Sequence, residues 1–187
     1  MLFRSDQLAQ GQRSVPELAE ACGAHADSLY RLLRGLASVG IFRETDPRHF
    51  SLTPLAELLR GDHPQSMRQF ARMLGDEHYL AWHDLPTSIR TGQSAFLTRY
   101  GCHVFEYYKQ QPQRGEIFDG AMSDFSRRYL QPVLDSYDFS GLRHLVDIGG
   151  GQGLLLKAVL RRYPQLRGTL FERPEVVAEV KIGRAHV

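Results

Sequence analysis

The sequence predicts a mostly α-helical N-terminal region built round a winged helix, then a helical connector, then the start of an α/β domain. Three observations predict this. A helix, turn, helix, hairpin order runs over residues 14–52, and a series of broken helical segments rich in aromatic residues extends to about 140. A strand, glycine-rich turn, helix and strand follow Gly141, the pattern of one unit of a parallel sheet. The expected division is residues 1–60, 61–140 and 141–187.

Ser14-Val15-Pro16-Glu17 reads as a helix start, with Ser14 as N-cap, Glu17 completing a capping box and Pro16 in the first turn. Gly23 stops that helix. A second begins near Ala26, and Leu29, Leu32, Leu33 and Leu36 fall on one apolar face. Gly40 ends it. Ile41–Arg43 and His49–Leu52 are short β-like runs, and the turn-rich stretch Glu44–Arg48 is expected to loop between them. Thr53-Pro54 opens a further helix. Residues 64–140 are expected to be largely helical, with breaks at Gly75, Pro86, Gly92, Gly101 and Pro112. After Gly141 the apolar run Leu142–Ile148 reads as a strand, the segment to about Tyr163 as a helix and Thr169–Phe171 as a second strand.

Composition narrows the classes of function. Hydrophobic residues make up 42% and charged residues 24%, the balance of an ordinary globular chain. No apolar run approaches the roughly 18–20 residues of a bilayer span, so no membrane partner is expected. The two cysteines, Cys22 and Cys102, lie far apart and form no metal-type cluster, so a reduced, cytoplasmic setting and no metal are expected. The formal net charge of +2 gives no electrostatic case for a nucleic-acid partner.

The two ends look foreign. Ile182 to Val187 is the translation of one strand of a widely used sequencing adapter, and Leu2 to Ser5 that of the opposite strand. Residues 1–5 and 182–187 are accordingly expected to be adapter-derived, with native sequence running from about Asp6 to about Lys181 as a fragment of a longer chain.

The chemistry is concentrated in His144-Leu-Val-Asp147-Ile-Gly149-Gly150-Gly151-Gln152-Gly153, where a strand ends in Gly-x-Gly-x-Gly and feeds a helix. Glycines permit a tight turn and close approach of a ligand, and the helix N-terminus offers free N–H groups to an anion. The dinucleotide pattern Gly-x-Gly-x-x-Gly fails, because the sixth position from Gly149 is Leu154 and from Gly151 is Leu156. The phosphate-binding Gly-x-x-x-x-Gly-Lys pattern fails as well, since Gly151 leads to Leu156-Lys157-Ala158. An acid at the end of the next strand, Glu172, stands where it accepts from both hydroxyls of a ribose.

The turn Asp-x-Gly-x-Gly-x-Gly resembles the first motif of the Rossmann-like class I S-adenosylmethionine methyltransferases. Leu145–Gly153 followed by Leu170-Phe-Glu-Arg-Pro-Glu-Val-Val177 is similar to the caffeic-acid and hydroxyneurosporene type of small-molecule O-methyltransferase, which carries an N-terminal winged-helix dimerisation domain. The resemblance spans nearly all of residues 6–180. It implies S-adenosylmethionine as cofactor, a small aromatic or polyketide-like hydroxyl acceptor and a homodimer. By resemblance, Asp147, Gly149, Gly150, Gly151, Gly153 and Glu172 hold the cofactor. Ala121–Ser126 is similar to a helix in which a Met, here Met122, lines the acceptor pocket and a Ser, here Ser126, approaches the cofactor carboxylate. Glu172 departs from the family's usual Asp. The family's catalytic His lies beyond residue 187, and none of the eight histidines here sits in its context, so no catalytic residue is assigned.

Several residues carry two readings. Phe105, Phe118, Met122 and Trp82 either wall an aromatic acceptor or are plain core. Asp147 either orients the turn and meets the cofactor through water, or caps the strand end. His78, His83 and His103 border a pocket or are ordinary surface and core histidines. The winged helix also suits a DNA-binding regulator, against which residues 1–60 balance seven Arg with seven acids. The third alternative is a non-catalytic dimerisation module.

Overall fold

The computed structural model describes residues 5–178 and 180, and the chain divides into two units between Arg72 and Met73. Of the ends assigned to adapter sequence, residues 1–5 and 182–187, all but Ser5 lie outside the described residues. Ser5 opens a 3-10 turn (Ser5–Leu8) and is buried.

The first unit contains β1 (Arg13–Ser14), α1 (Val15–Cys22), α2 (Ala26–Ser38), β2 (Phe42–Asp46), β3 (His49–Leu52) and α3 (Pro54–Glu57). The Glu17 carboxylate accepts the Ser14 N–H at 2.8 Å and the Ser14 hydroxyl at 2.6 Å. This satisfies a donor that a bare helix start leaves open. Gly23 closes α1 in the left-handed region, φ +61°, where a side chain is strained. Val15 and Leu18 of α1, Leu29 and Leu33 of α2, and Phe42 and Phe50 of the sheet form one core.

Three details differ from the sequence reading. Leu32 is 54% exposed: it stands at the edge of the apolar stripe, rotated away from Leu29 and Leu33. Strand β2 continues to Asp46, so only Pro47 and Arg48 turn the hairpin. Glu44 accepts the Arg48 N–H at 2.9 Å and holds Arg48 at φ +61°. Finally, β1 is too short to show a period; it pairs antiparallel with β3 and gives the sheet order β1-β3-β2.

Helix α4 (Arg68–Leu74) straddles the division. The second unit continues with α5 (Glu77–His83), α6 (Leu85–Thr91), α7 (Ala95–Tyr100), α8 (Val104–Gln110) and α9 (Pro112–Ser136). Pro86 does not break a helix as expected; it occupies the first turn of α6, where a missing N–H costs nothing, and Asp84 makes the break. Gly92 and Gly101 end α6 and α7 in left-handed conformation. Phe96, Tyr100 and Tyr107 pack ring to ring at 4.6–5.5 Å.

The α/β part comprises β4 (His144–Ile148), α10 (Leu154–Arg162), β5 (Arg167–Phe171) and α11 (Pro174–Val177). Strands β4 and β5 are parallel, with Leu145 opposite Gly168 and Ile148 opposite Phe171. Val159 and Leu166 pack with Leu134 of α9 and with Phe139, and Leu156 packs with Leu170. Gly168 lets α10 lie close on β5, since a Cβ there would stand 2.8 Å from Leu160 and 2.9 Å from Leu156. The other sheet face presents Val146, Ile148 and Phe171 to solvent.

Leu33 is fully buried and Leu32 is not, so the two leucines should behave oppositely. Leu33→Ala is expected to cost about 3 kcal/mol in urea denaturation, and Leu32→Ala within about 0.5 kcal/mol. Equal losses would contradict the packing described.

Candidate functional site

The site begins where β4 runs out. The Gly149 N–H donates to Phe171 O at 2.8 Å, one rung past the ladder. Gly149, Gly151 and Gly153 then take positive φ values of +71°, +54° and +65°, conformations that glycine adopts without steric cost. The Gly153 N–H closes the turn on Gly150 O at 2.9 Å, and Gly153 is the N-cap of α10. Gly150 is needed for a different reason: a Cβ at that position would collide with the carboxyl group of Asp147.

Two acids border the turn. Glu172, just past β5, accepts the Gly151 N–H at 3.1 Å with Oε2 and the Arg173 N–H at 2.8 Å with Oε1. Asp147 lies below the turn, with Oδ2 buried and lacking a hydrogen-bond partner among the described residues. Burial, reinforced by the nearby Glu172 charge, raises the Asp147 carboxyl above the ordinary carboxylate range.

The turn forms one side of a cavity of about 600 Å³. The opposite wall comes from α8 and α9, whose apolar spacing brings Phe105, Phe118, Met122 and Ser126 to the same space. Phe105 and Phe118 meet edge to face at 5.9 Å. Arg173 bridges the two walls, its guanidinium 4.6 Å from the Phe105 ring centre. Asp119 also borders the cavity; burial raises its carboxyl, while Arg173 pulls the other way.

Of the residues expected from sequence to bind cofactor or acceptor, the cavity therefore gathers Asp147, Gly149, Gly150, Gly151, Glu172, Ser126, Phe105, Phe118 and Met122. Gly153 stands behind them as a helix cap. Trp82 is elsewhere: it lies on α5, which packs with α6 and α7, and borders a second cavity together with His78 and His103. No histidine lines the first cavity among the described residues. Asp119 and Arg173 were not picked out from sequence. Asp119 lies three positions before Met122 on one helix face and Arg173 directly follows Glu172, so the placement of their neighbours was the available signal.

Arg48 and Arg34 are engaged within the unit. Arg48 pairs with Asp27 at 2.8 Å and lies 4.7 Å over the Tyr30 ring, on which Arg34 also rests at 5.7 Å.

Comparison with known proteins agrees with this architecture. The family model for the O-methyltransferase domain matches residues 82–185, and that for the O-methyltransferase dimerisation domain matches residues 5–62. The phenazine O-methyltransferase PhzM of Lysobacter antibioticus is 42% identical over 172 residues, covering 92% of this chain and 50% of that protein. The crystal structure of LaPhzM superposes with a TM-score of 0.91 at 40% identity, covering 98% of this chain and 58% of that one. NcsB1, an O-methyltransferase from neocarzinostatin biosynthesis solved with S-adenosylmethionine and 2-hydroxy-5-methyl naphthoic acid, gives a TM-score of 0.78 at 36% identity, covering 100% of this chain and 60% of that one. The chain spans about half the length of the curated relatives it matches. It belongs to the O-methyltransferase family, with that family's dimerisation domain followed by sequence of its methyltransferase domain.

Proposed function

We propose that the protein is an S-adenosylmethionine-dependent O-methyltransferase that methylates a hydroxyl of a small aromatic or polyketide-like molecule. The observation that carries this reading is the meeting, in one cavity, of the Gly149–Gly151 turn and its two acids with the aromatic face of α8 and α9. NcsB1, similar in fold, holds S-adenosylmethionine and a naphthoic acid.

The residues present fit that cofactor. Glu172 would accept from the ribose hydroxyls, and the partnerless Oδ2 of Asp147 would accept from an ammonium group. Gly149 and Gly151, with open space where a side chain would stand, let a ligand lie against bare backbone, and Ser126 offers a hydroxyl to a carboxylate. When bound, the cofactor supplies a methyl group on a positively charged sulfur, already activated for in-line displacement. The protein's part is then to align the acceptor oxygen and exclude water. Phe105, Phe118 and Met122 give the acceptor a flat apolar bed, and no base is assigned among the described residues.

The match of residues 5–62 to a dimerisation domain favours a homodimer over a DNA-reading role for the winged helix. Val39 and Leu55, both exposed in the first unit, supply apolar surface for pairing. Sedimentation as a monomer at tens of micromolar would count against this. The free thiols of Cys22 and Cys102 suit a reduced, cytoplasmic setting, and no helix among the described residues is long and apolar enough to cross a membrane.

Calorimetric titration of the chain with S-adenosylhomocysteine tests the assignment. Saturable binding is expected, weakened about ten-fold or more in Glu172→Ala, the loss of charge-assisted hydrogen bonds. Absence of binding, or unchanged affinity in the variant, would refute it. The ionised form of Asp147 is the one that receives an ammonium group, and its pKa is raised. Affinity should therefore be full well above the ordinary carboxylate range and fall as pH drops through that raised value. Asp147→Asn should flatten this step; a step that persists in the variant would assign it to another group.

A further inference from the structure

Arg173 stands between the two walls of the first cavity and meets groups on both. It directly follows Glu172 and is the N-cap of α11. On the strand side its Nε lies 3.8 Å from Glu172 Oε1, and its backbone N–H is donated to the same oxygen at 2.8 Å. On the helical side its guanidinium lies 4.6 Å from the ring centre of Phe105 on α8, a cation over an aromatic face. Asp119 on α9 shares a helix face with Met122 and Ser126, at i, i+3 and i+7, and all three border the cavity. Its carboxyl is close enough for the Arg173 charge to oppose the rise that burial causes.

The hold on the strand side is loose. A separation of 3.8 Å exceeds hydrogen-bond length, and the Arg173 side chain is 40% exposed, so it is free to change partners at small cost. Glu172 Oε1 is the point of competition. A ligand hydroxyl that donates to Glu172 occupies the lone pairs and draws on the negative charge that attract the guanidinium towards β5. The Phe105 ring and the Asp119 carboxyl, both on the opposite wall, are then favoured over Glu172. The position of the arm between the two walls therefore moves with occupancy of Glu172.

We propose that Arg173 is a positioning strap: when a ligand hydroxyl takes Glu172, the guanidinium shifts its hold from that carboxylate to Phe105 and Asp119. The arm then lies across the cavity and steadies Phe105 against an aromatic acceptor. Filling the Glu172 side thus tightens binding of a planar ring on the Phe105–Phe118 side and, by linkage, the reverse. The strap rests on the cofactor and acceptor reading above and adds a coupling between the two halves of that site.

Calorimetric titration of the full 187-residue chain with 2-naphthol, alone and with saturating S-adenosylhomocysteine, measures the coupling. In the parent chain S-adenosylhomocysteine is expected to tighten 2-naphthol about five-fold, the lower end of ordinary coupling between sites. Arg173→Met keeps the apolar length of the arm and removes its charge. There the coupling should vanish, while S-adenosylhomocysteine by itself binds at least as tightly, because the competitor for Glu172 is gone. Asp119→Asn should lose part of the coupling. A merely structural role would instead weaken both ligands alike. Should Arg173→Met fail to fold by circular dichroism, Phe105→Leu, which removes the ring face and keeps an apolar side chain, decides in its place, and its coupling should fall as well. Three results would each overturn the strap and leave the cofactor reading standing: no coupling in the parent, coupling unchanged in Arg173→Met, or S-adenosylhomocysteine weakened about ten-fold in that variant, the mark of a direct charged contact. Failure of S-adenosylhomocysteine to bind the parent chain would overturn both.

Discussion

The carboxylate of Asp147 is folded beneath the glycine turn, and most of the α/β part is arranged around it. Strand alternation points Leu145 and Asp147 to the face that packs on α10. Because that space is filled by a carboxyl group, position 150 can carry no side chain. With no side chain there, the turn passes close above the acid, and Glu172 fastens it from the next strand through Gly151. Strand spacing, glycine placement and the acid after β5 are thus one constraint and not three motifs.

The arrangement is locally unfavourable. An oxygen buried without a hydrogen-bond partner destabilises a protein by roughly 1–3 kcal/mol; burial, and after it the neighbouring charge of Glu172, raises the Asp147 carboxyl above its ordinary range. Among the described residues, the cavity lining holds Asp119, Asp147 and Glu172 against one guanidinium, Arg173. Such a surplus of negative charge favours a cationic guest, which is what a sulfonium with an ammonium group is. The first unit differs in character: an apolar cluster from Leu8 to Ala56 forms its core, and ion pairs such as Arg48–Asp27 lie at its surface.

Much of this was readable in the sequence, for identifiable reasons. Capping at Ser14 and Glu17 and termination at Gly23 depend on local chemistry, so residue identity decides them. The glycine turn is also local, and the spacing to Glu172 follows from one crossover helix. Features set by distant neighbours were not readable. Periodicity grouped Leu32 with Leu29 and Leu33, but the width of the buried stripe depends on what packs against it. Likewise, aromatic spacing marked Trp82 together with Phe105 and Phe118. Only the packing of short helices α5–α8 separates the two cavities, and short helices with glycine ends leave their relative directions unspecified. The hydrogen bonds of Tyr108 with Glu77 and His78 join residues about 30 positions apart, beyond the reach of any spacing rule.

The most direct test of the central claim is amide hydrogen exchange across Gly149–Gly153 and Phe171–Arg173, with and without S-adenosylhomocysteine. The account predicts that ligand slows exchange at both segments together while Leu29–Leu36 in the first unit is unchanged. Slowing confined to another region, or no change at the glycine turn under saturating ligand, would contradict it.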